Sequence, residues 1–153
     1  MEHRLEMIRR AIHNIPQFHL KDLEKERPPP SYTIDTLKEL IFDAAHHSVP
    51  HTYYLLLGED AVPGFTRWHM PEEIVRLVPL LIASRPGMWQ QEIEEFNLPI
   101  REAIQNGLVS TRLVDISGTD IRMRLAKGLY CGHLMPLPVL QYIEENHVYP
   151  QIK

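Results

Sequence analysis

The sequence predicts an α/β fold in which a parallel sheet carries helices on both faces. Short, continuous apolar runs that end at glycine or at an Arg-Pro-Gly turn are typical of buried strands. Segments with apolar residues three and four apart alternate with these runs and predict amphipathic helices. The 13 prolines fall mostly between the apolar runs, where they end helices and stiffen turns. Strands that alternate with helices pair in parallel through right-handed crossovers.

The length and composition predict a single globular domain over residues 1–153. The chain is 44% hydrophobic and 24% charged, and one packed core fits 153 residues. Its 20 acidic side chains outnumber the 16 basic ones, and the resulting net charge of -4 gives no drive toward nucleic-acid phosphates.

The sequence also lacks the marks of a membrane or secreted protein. No stretch approaches the roughly 20 apolar residues that a membrane helix requires, and the opening residues lack the apolar core of a signal peptide. Cys131 is the one cysteine and cannot form an internal disulfide, which favours a reducing compartment. We therefore expect a cytoplasmic protein without nucleic-acid or membrane partners, and a homo-oligomer is compatible with the sequence.

The first part of the chain predicts the order helix, strand, helix. Apolar residues at positions 5, 8, 12 and 15 share one helix face, and Pro16 ends that helix. Alternating residues over 18–24 indicate a short strand before three consecutive prolines. Ser31 and Thr33 can cap the next helix. Its predicted apolar face consists of Ile34, Leu37, Leu40, Ile41 and Ala44.

The later elements continue the alternation. Apolar runs over 53–57 and 80–83 predict strands covered on both faces, with a helix from Pro71 between them that turns Ile74, Leu77 and Val78 inward. The remaining predicted elements are a helical segment over 89–106 interrupted at Pro99, a strand over 108–114, and helices over 119–127 and 137–146. Since ligands of parallel sheets bind at the carboxyl ends of strands, we expect functional residues just after positions 24, 57, 83 and 114.

Ser117, Thr119 and Arg122 follow the last predicted strand at the start of a helix. Unpaired N–H groups of a first helical turn, two hydroxyls and a guanidinium can converge there on one anion, and a polyphosphate would satisfy all of them. The alternative interpretation is an ordinary helix cap with a solvated arginine.

This segment, from Asp115 to Arg122, resembles the ISSTxIR motif of bacterial nicotinate-nucleotide adenylyltransferases, members of the nucleotidyltransferase superfamily. Gly118 stands where the motif has its second serine. Other segments that resemble the family occur in its order along the chain. They are His3-Arg4-Leu5-Glu6-Met7, Pro30 to Leu37, Gly58-Glu59-Asp60 with Trp68, Arg85-Pro86-Gly87, and Pro136 to Tyr149.

The family's opening GxFxPxHxGH motif does not occur in this sequence. The chain therefore resembles the C-terminal portion of such an enzyme, and the Rossmann-like fold that the resemblance implies is incomplete at its N-terminus. We expect a fragment or a misplaced start, with the missing motif encoded in frame upstream.

The resemblance implies adenylyl transfer from ATP to nicotinate mononucleotide, which yields deamido-NAD and pyrophosphate with the help of Mg²⁺. The nucleophile belongs to the substrate, so positioning and charge neutralisation carry the catalysis. By the same resemblance, Ser117, Thr119 and Arg122 would hold the ATP phosphates. No catalytic residue is assigned, because the two histidines that touch ATP belong to the absent motif, and we expect this chain to be inactive.

The resemblance also implies the residues of the other substrate. Thr33 would offer backbone groups to the nicotinate carboxylate, Trp68 would stack on the pyridine ring, and Asp60 would bind nucleotide hydroxyls. Each has a purely structural alternative: Thr33 and Asp60 as helix caps, and Trp68 as a core aromatic. Arg85 is more typical of a solvated turn than of a substrate contact.

The sequence gives little support for a metal site or for a cysteine nucleophile. His46 and His47 are adjacent, so a helix would send them to different faces, and with His51 they make a poor metal site. Cys131 is more typical of a small buried residue than of a nucleophile. Two alternative functions stay open: a non-catalytic nucleotide-binding or interaction protein of the same fold, and an adenylyltransferase for another phosphate acceptor such as phosphopantetheine.

Overall fold

The computed structural model describes residues 2–25, 27–45, 51–84, 92–112, 114 and 116–149. The chain forms two compact units, one of Met1–Asp22 with Val114–Lys153 and one of Leu23–Leu113. The helices are α1 (Glu2–Ile12), α2 (Thr33–Ala45), α3 (Pro71–Leu77), α4 (Leu98–Gly107), α5 (Gly118–Ala126) and α6 (Leu137–Glu145), and the strands are β1 (Leu55–Gly58), β2 (Leu80–Ser84) and β3 (Leu108–Ser110).

The Leu23–Leu113 unit contains a parallel sheet in the order β1-β2-β3. Leu55 pairs with Leu80, and Ile82 pairs with Leu108. Helices flank this sheet, which confirms the predicted α/β class. β1 differs from the prediction of a strand covered on both faces, because Leu57 is buried whereas Leu56 is 72% exposed. Successive side chains of a strand point to opposite faces, and the face that carries Leu56 is uncovered at β1.

The core of this unit forms where helices α2, α3 and α4 meet the sheet. Residues three or four apart are buried on α2 and α4, as the periodicity predicts. Full burial of one such side chain contributes roughly 1.5–3 kcal/mol. Phe65, between β1 and α3, is fully buried in the same cluster. The helix residues of this core are Ile34 and Leu37 of α2, Ile74 of α3, and Ile100 and Ile104 of α4.

Helix α4 approaches β2 very closely at its last residue. A Cβ atom at Gly107 would lie 2.6 Å from the carbonyl oxygen of Leu80, so only glycine fits there. The other end of α4 is capped by Asn97, whose side chain accepts a hydrogen bond from the Ile100 N–H at 3.3 Å. Pro99 lies in the first turn of α4 and therefore helps to begin this helix instead of interrupting one.

The other unit packs α1 against α6 around a small core. Tyr142 of α6 lies between two residues of α1. Its hydroxyl and His3 Nδ1 are hydrogen bonded at 2.9 Å, and the Arg10 guanidinium carbon lies 4.6 Å from the centre of its ring. Arg10 Nε also donates to Glu6 at 2.9 Å, and this hydrogen bond lowers the pKa of Glu6 below its ordinary value. The buried residues of this core are Leu125, Cys131, Val139, Leu140 and Ile143.

Several sequence predictions are wrong in detail. No strand forms over 18–24: residues 23–25 make a 3-10 turn, and Phe18 is 61% exposed, so the alternating pattern has no buried face. Helix α1 ends at Ile12, before Ile15. The strand predicted over 108–114 ends at Ser110, and Leu77 lies at the surface instead of facing inward. Within the described ranges, no helix has the length and apolarity to cross a membrane.

Candidate functional site

Thr33 and Trp68 line the same cleft in the Leu23–Leu113 unit, as the resemblance implies for two residues that contact one ligand. The cleft has a volume of about 210 Å³. Its other lining residues are Ser31, Tyr32, Arg67, His69 and Ile74. The cleft therefore combines the start of α2 with the short segment between β1 and α3.

The start of α2 borders this cleft and has unpaired N–H groups. Thr33 is the first residue of the helix and not its cap, because the N–H groups of Asp35 and Thr36 donate to the Tyr32 carbonyl at 3.1 and 3.4 Å. The N–H groups of Thr33 and Ile34 precede these bonds and have no acceptor within the helix. Together with the positive end of the helix dipole, they favour a negatively charged ligand group.

Trp68 both packs against the core and lines the cleft. It is half-buried, packs against the core, and its ring centre lies 5.2 Å from that of the buried Phe65. The backbone N–H of Trp68 donates to the Phe65 carbonyl at 3.0 Å, which closes the 3-10 turn Phe65–Arg67. The core thus holds one part of Trp68 in place while another part lines the cleft.

Three residues that line the cleft had received no role from the sequence. Tyr32 and His69 stack with ring centres 4.1 Å apart and planes inclined by 26°, and Arg67 lines the same cleft. The available signal was local, because Arg67 and His69 flank Trp68 directly in the sequence. Periodicity could not reveal it, since these side chains meet residues 31–33 only in the folded unit.

Asp60 lies immediately after β1, where a ligand of a parallel sheet is expected. It is exposed in the 3-10 turn Glu59–Ala61. Gly58 occupies the N-cap position of this turn, without a side-chain hydrogen bond, so the alternative of Asp60 as a cap is wrong.

Ser117 caps helix α5 in the other unit. Its Oγ accepts a hydrogen bond from the Asp120 N–H at 3.0 Å, and its carbonyl accepts from the Ile121 N–H at 3.0 Å. The helix-cap interpretation of Ser117 is therefore confirmed. The N–H groups of Gly118 and Thr119 have no acceptor within the helix and face outward from its first turn.

Arg122 lies across this first turn. Its Nη2 donates to Thr119 Oγ1 at 3.1 Å. A Cβ atom at Gly118 would lie 3.1 Å from Arg122 Nη1, so the departure from the ISSTxIR motif leaves room for the guanidinium. The structure thus brings Ser117, Thr119 and Arg122 together on one exposed surface.

The remaining candidates are Arg85, the histidines at 46, 47 and 51, and Cys131. Arg85, His46 and His47 lie outside the described residues. Across the ranges that the structure describes, no group of three His, Cys, Asp or Glu side chains could hold a metal ion. Cys131 is buried and its thiol donates to the Leu129 carbonyl at 3.4 Å, which suits the predicted small core residue.

Comparison with known proteins gives a family match over most of the chain. Residues 1–124 match the family described as cytidylyltransferase-like. The chain is 37% identical to a probable nicotinate-nucleotide adenylyltransferase of Methylacidiphilum infernorum, over 95% of this chain and 66% of that protein. It is 36% identical to the one of Dehalococcoides mccartyi, over 97% and 72%, and 32% identical to the one of Exiguobacterium sibiricum, over 95% and 71%.

Solved structures agree on the fold. Plasmodium falciparum nicotinic acid mononucleotide adenylyltransferase complexed with APC has a TM-score of 0.69 at 21% identity, and its complex with NaAD has 0.68 at 20%. The alignments cover 97% of this chain and 75% and 74% of those chains. The chain spans about two thirds to three quarters of the relatives' length, from 66% to 75%. On the strength of the family match and these identities, the chain belongs to the nicotinate-nucleotide adenylyltransferase family of cytidylyltransferase-like proteins.

Proposed function

We propose that this chain carries the nicotinate-binding part and one phosphate-binding part of an enzyme that transfers the adenylyl group of ATP to nicotinate mononucleotide. The observation that carries the proposal is the shared cleft of Thr33 and Trp68. An aromatic face beside unpaired N–H groups suits a pyridine ring that bears a carboxylate. The names of the bacterial relatives and the NaAD complex of the Plasmodium enzyme support the same chemistry.

At the nicotinate end, the N–H groups of Thr33 and Ile34 would donate to the carboxylate while the Trp68 ring stacks on the pyridine. Asp60 would accept hydrogen bonds from nucleotide hydroxyls at the end of β1. These contacts act by orientation: they hold the acceptor phosphate of the bound nucleotide in position to attack.

At the ATP end, the start of α5 would bind phosphates through the Gly118 and Thr119 N–H groups and Arg122. In the reaction, an oxygen of the nicotinate mononucleotide phosphate bonds to the α-phosphorus, and the bond between that phosphorus and the bridging oxygen breaks. Pyrophosphate leaves with the bridging oxygen. Arg122 would stabilise the negative charge that grows on this leaving group. Mg²⁺ would arrive with ATP as part of the substrate, held mainly by phosphate oxygens and water.

We further propose that the reaction needs the GxFxPxHxGH motif, which this sequence lacks. Loss of one preorganised phosphate donor lowers turnover by about 10²- to 10³-fold, and the resemblance places two such histidines in the motif. The same proposal places the protein in the cytoplasm and leaves homo-oligomerisation open. It includes no nucleic-acid partner, because the net charge is -4.

The test compares this chain with a version that is extended at its N-terminus by a segment containing the GxFxPxHxGH motif. Pyrophosphate release is measured with ATP and either nicotinate mononucleotide or phosphopantetheine, and nucleotide binding to both proteins is measured by calorimetry. We expect nicotinate mononucleotide to bind to both proteins and turnover only in the extended one. Binding without turnover in both would favour the non-catalytic alternative, and turnover with phosphopantetheine alone would favour the other acceptor. Turnover by this chain in the common range of roughly 1–10³ per second would refute the proposed need for the motif.

A further inference from the structure

Arg67 contributes the positive charge of the cleft. Among its seven lining residues, Arg67 is the one arginine or lysine, and none is acidic. The remaining lining groups are hydroxyl, aromatic or aliphatic. A single arginine beside an aromatic ring and a helix N-terminus makes the cleft prefer a ligand group with a negative charge.

The backbone of Arg67 is fixed by the core. It is the last residue of the 3-10 turn Phe65–Arg67, and its N–H donates to the Gly64 carbonyl at 3.0 Å. Phe65, two residues earlier, is fully buried, and Trp68, one residue later, packs on the same core. The backbone of Arg67 is therefore held at the cleft, and its side chain is exposed.

No carboxylate of the described residues neutralises this guanidinium. Nearby charges of the same unit pair with one another, as Lys38 does with Glu73 at 2.8 Å and Arg27 with Glu39. No ion pair or hydrogen bond involves the Arg67 side chain within the described part of the chain. Its planar set of donors remains open to a carboxylate from a ligand.

We infer that Arg67 is a specificity-determining residue that makes the cleft prefer a pyridine carboxylate over the corresponding carboxamide. The inference rests on the proposed function, whose nicotinate site it refines. A carboxylate offers two acceptor oxygens and a full negative charge to the guanidinium and to the N–H groups at the start of α2. A carboxamide offers one acceptor oxygen, and its NH₂ group would face these donors without an acceptor.

The test measures the affinity of the protein for nicotinate mononucleotide and nicotinamide mononucleotide by calorimetry, with quenching of Trp68 fluorescence as the report on the cleft. Trp68→Phe identifies the Trp68 part of the signal. Arg67→Gln removes the charge, Arg67→Lys keeps it without the planar fork, and Arg76→Gln is the matched control, an exposed arginine of α3 that does not line the cleft. Thermal melts check that each variant is folded.

We expect Arg67→Gln to weaken nicotinate mononucleotide binding about tenfold, the effect of one exposed charge-assisted contact. Nicotinamide mononucleotide binding should change less than about twofold, because its uncharged amide gains little from the guanidinium. Arg67→Lys should retain part of the preference, Arg76→Gln should retain all of it, and added salt should reduce the preference in the unsubstituted protein.

Two outcomes overturn the inference in distinguishable ways. If the unsubstituted protein prefers nicotinate mononucleotide and Arg67→Gln keeps that preference, Arg67 is not its source, while the proposed function stands. If the unsubstituted protein binds neither nucleotide at millimolar concentration, the nicotinate site of the proposed function is wrong, and the role of Arg67 is wrong with it.

Discussion

Arg122 lies across the first turn of α5, where residue 118 carries no side chain. The sequence predicted that Ser117, Thr119 and Arg122 lie together, since one helical turn joins them, and the structure agrees. The helix-cap alternative is confirmed for the Ser117 hydroxyl, which would leave phosphate contacts to N–H groups and Arg122. The helix-cap and phosphate-binding interpretations therefore apply to different atoms of the same turn.

Arg122→Ala should weaken ATP binding more than nicotinate mononucleotide binding. In the extended enzyme, the loss of charge-assisted hydrogen bonds worth about 1.5–3 kcal/mol each should raise the KM for ATP by about tenfold or more. Lys127→Ala is the matched control, an exposed cation at the end of the same helix. Unchanged kinetic constants for ATP would make Arg122 an ordinary surface residue.

The cleft shows what a sequence motif can and cannot predict about single residues. Thr33 and Trp68 follow from the resemblance, and the structure places both at one cleft. Arg67 and His69 do not follow from it, because an exposed arginine and an exposed histidine leave no mark in hydrophobic periodicity. These side chains join the cleft only in the folded unit, where the segment 65–70 meets the start of α2.

At the scale of elements, strong apolar periodicity predicted the helices and the two central apolar runs predicted β1 and β2. Weak patterns failed: the alternation over 18–24 is too short to require a buried face. Pro99 was interpreted as a helix break, although proline also occurs in the first turn of helices. The Asn97 cap two residues earlier is the signal that a helix begins here. Element existence could thus be predicted more reliably than element ends.

Gly107→Ala should destabilise the protein, because the new methyl group would lie 2.6 Å from the Leu80 carbonyl oxygen. Overpacking of this kind typically costs about 1–3 kcal/mol. At an open helix position the same change would instead stabilise by up to about 1 kcal/mol, so the sign of the shift in melting temperature tests the contact. Asn106→Ala, at the exposed preceding residue of α4, is the control and should not destabilise.

Glu6 of α1 should titrate at a lower pH than an ordinary glutamate, because the hydrogen bond from Arg10 favours its charged form. A pKa that is lowered in the folded state contributes stability above the unfolded pKa, and this contribution is lost as pH falls through the folded pKa. A carboxyl NMR titration should show the low pKa, and Arg10→Gln should raise it. An ordinary Glu6 pKa in the unsubstituted protein would contradict the contact.

For the whole molecule, the comparisons confirm the family that the sequence resemblance indicated, and the parallel sheet confirms the fold class. That residues 1–153 form one domain remains our proposal. Contacts that depend on long-range packing, such as α4 on β2 or Tyr142 between His3 and Arg10, could not be predicted because no local pattern encodes the partner.

The exposed edge of the sheet should make this chain self-associate. β1 pairs only with β2 in the described sheet, and Leu56 on β1 is 72% exposed, so its edge and one face can recruit another chain. We expect concentration-dependent association of folded chains by size-exclusion chromatography, with a thermal melt to check folding. Leu56→Lys should reduce association, whereas Leu137→Lys, at an exposed position of α6, should not. A monodisperse monomer with one sharp melting transition would show that the chain closes its core alone.

The segment 65–70, between β1 and α3, also constrains how this protein can evolve. Three consecutive cleft residues, Arg67, Trp68 and His69, lie between a core anchor at Phe65 and the start of α3 at Pro71. A point substitution changes one wall of the cleft, but an inserted or deleted residue would shift all three at once against a fixed core. Surface loops usually tolerate changes of length, yet this one should not. Ligand preference should therefore diverge through substitutions at constant loop length, and a library that varies positions 67 and 69 should retain more binders than one that varies the length.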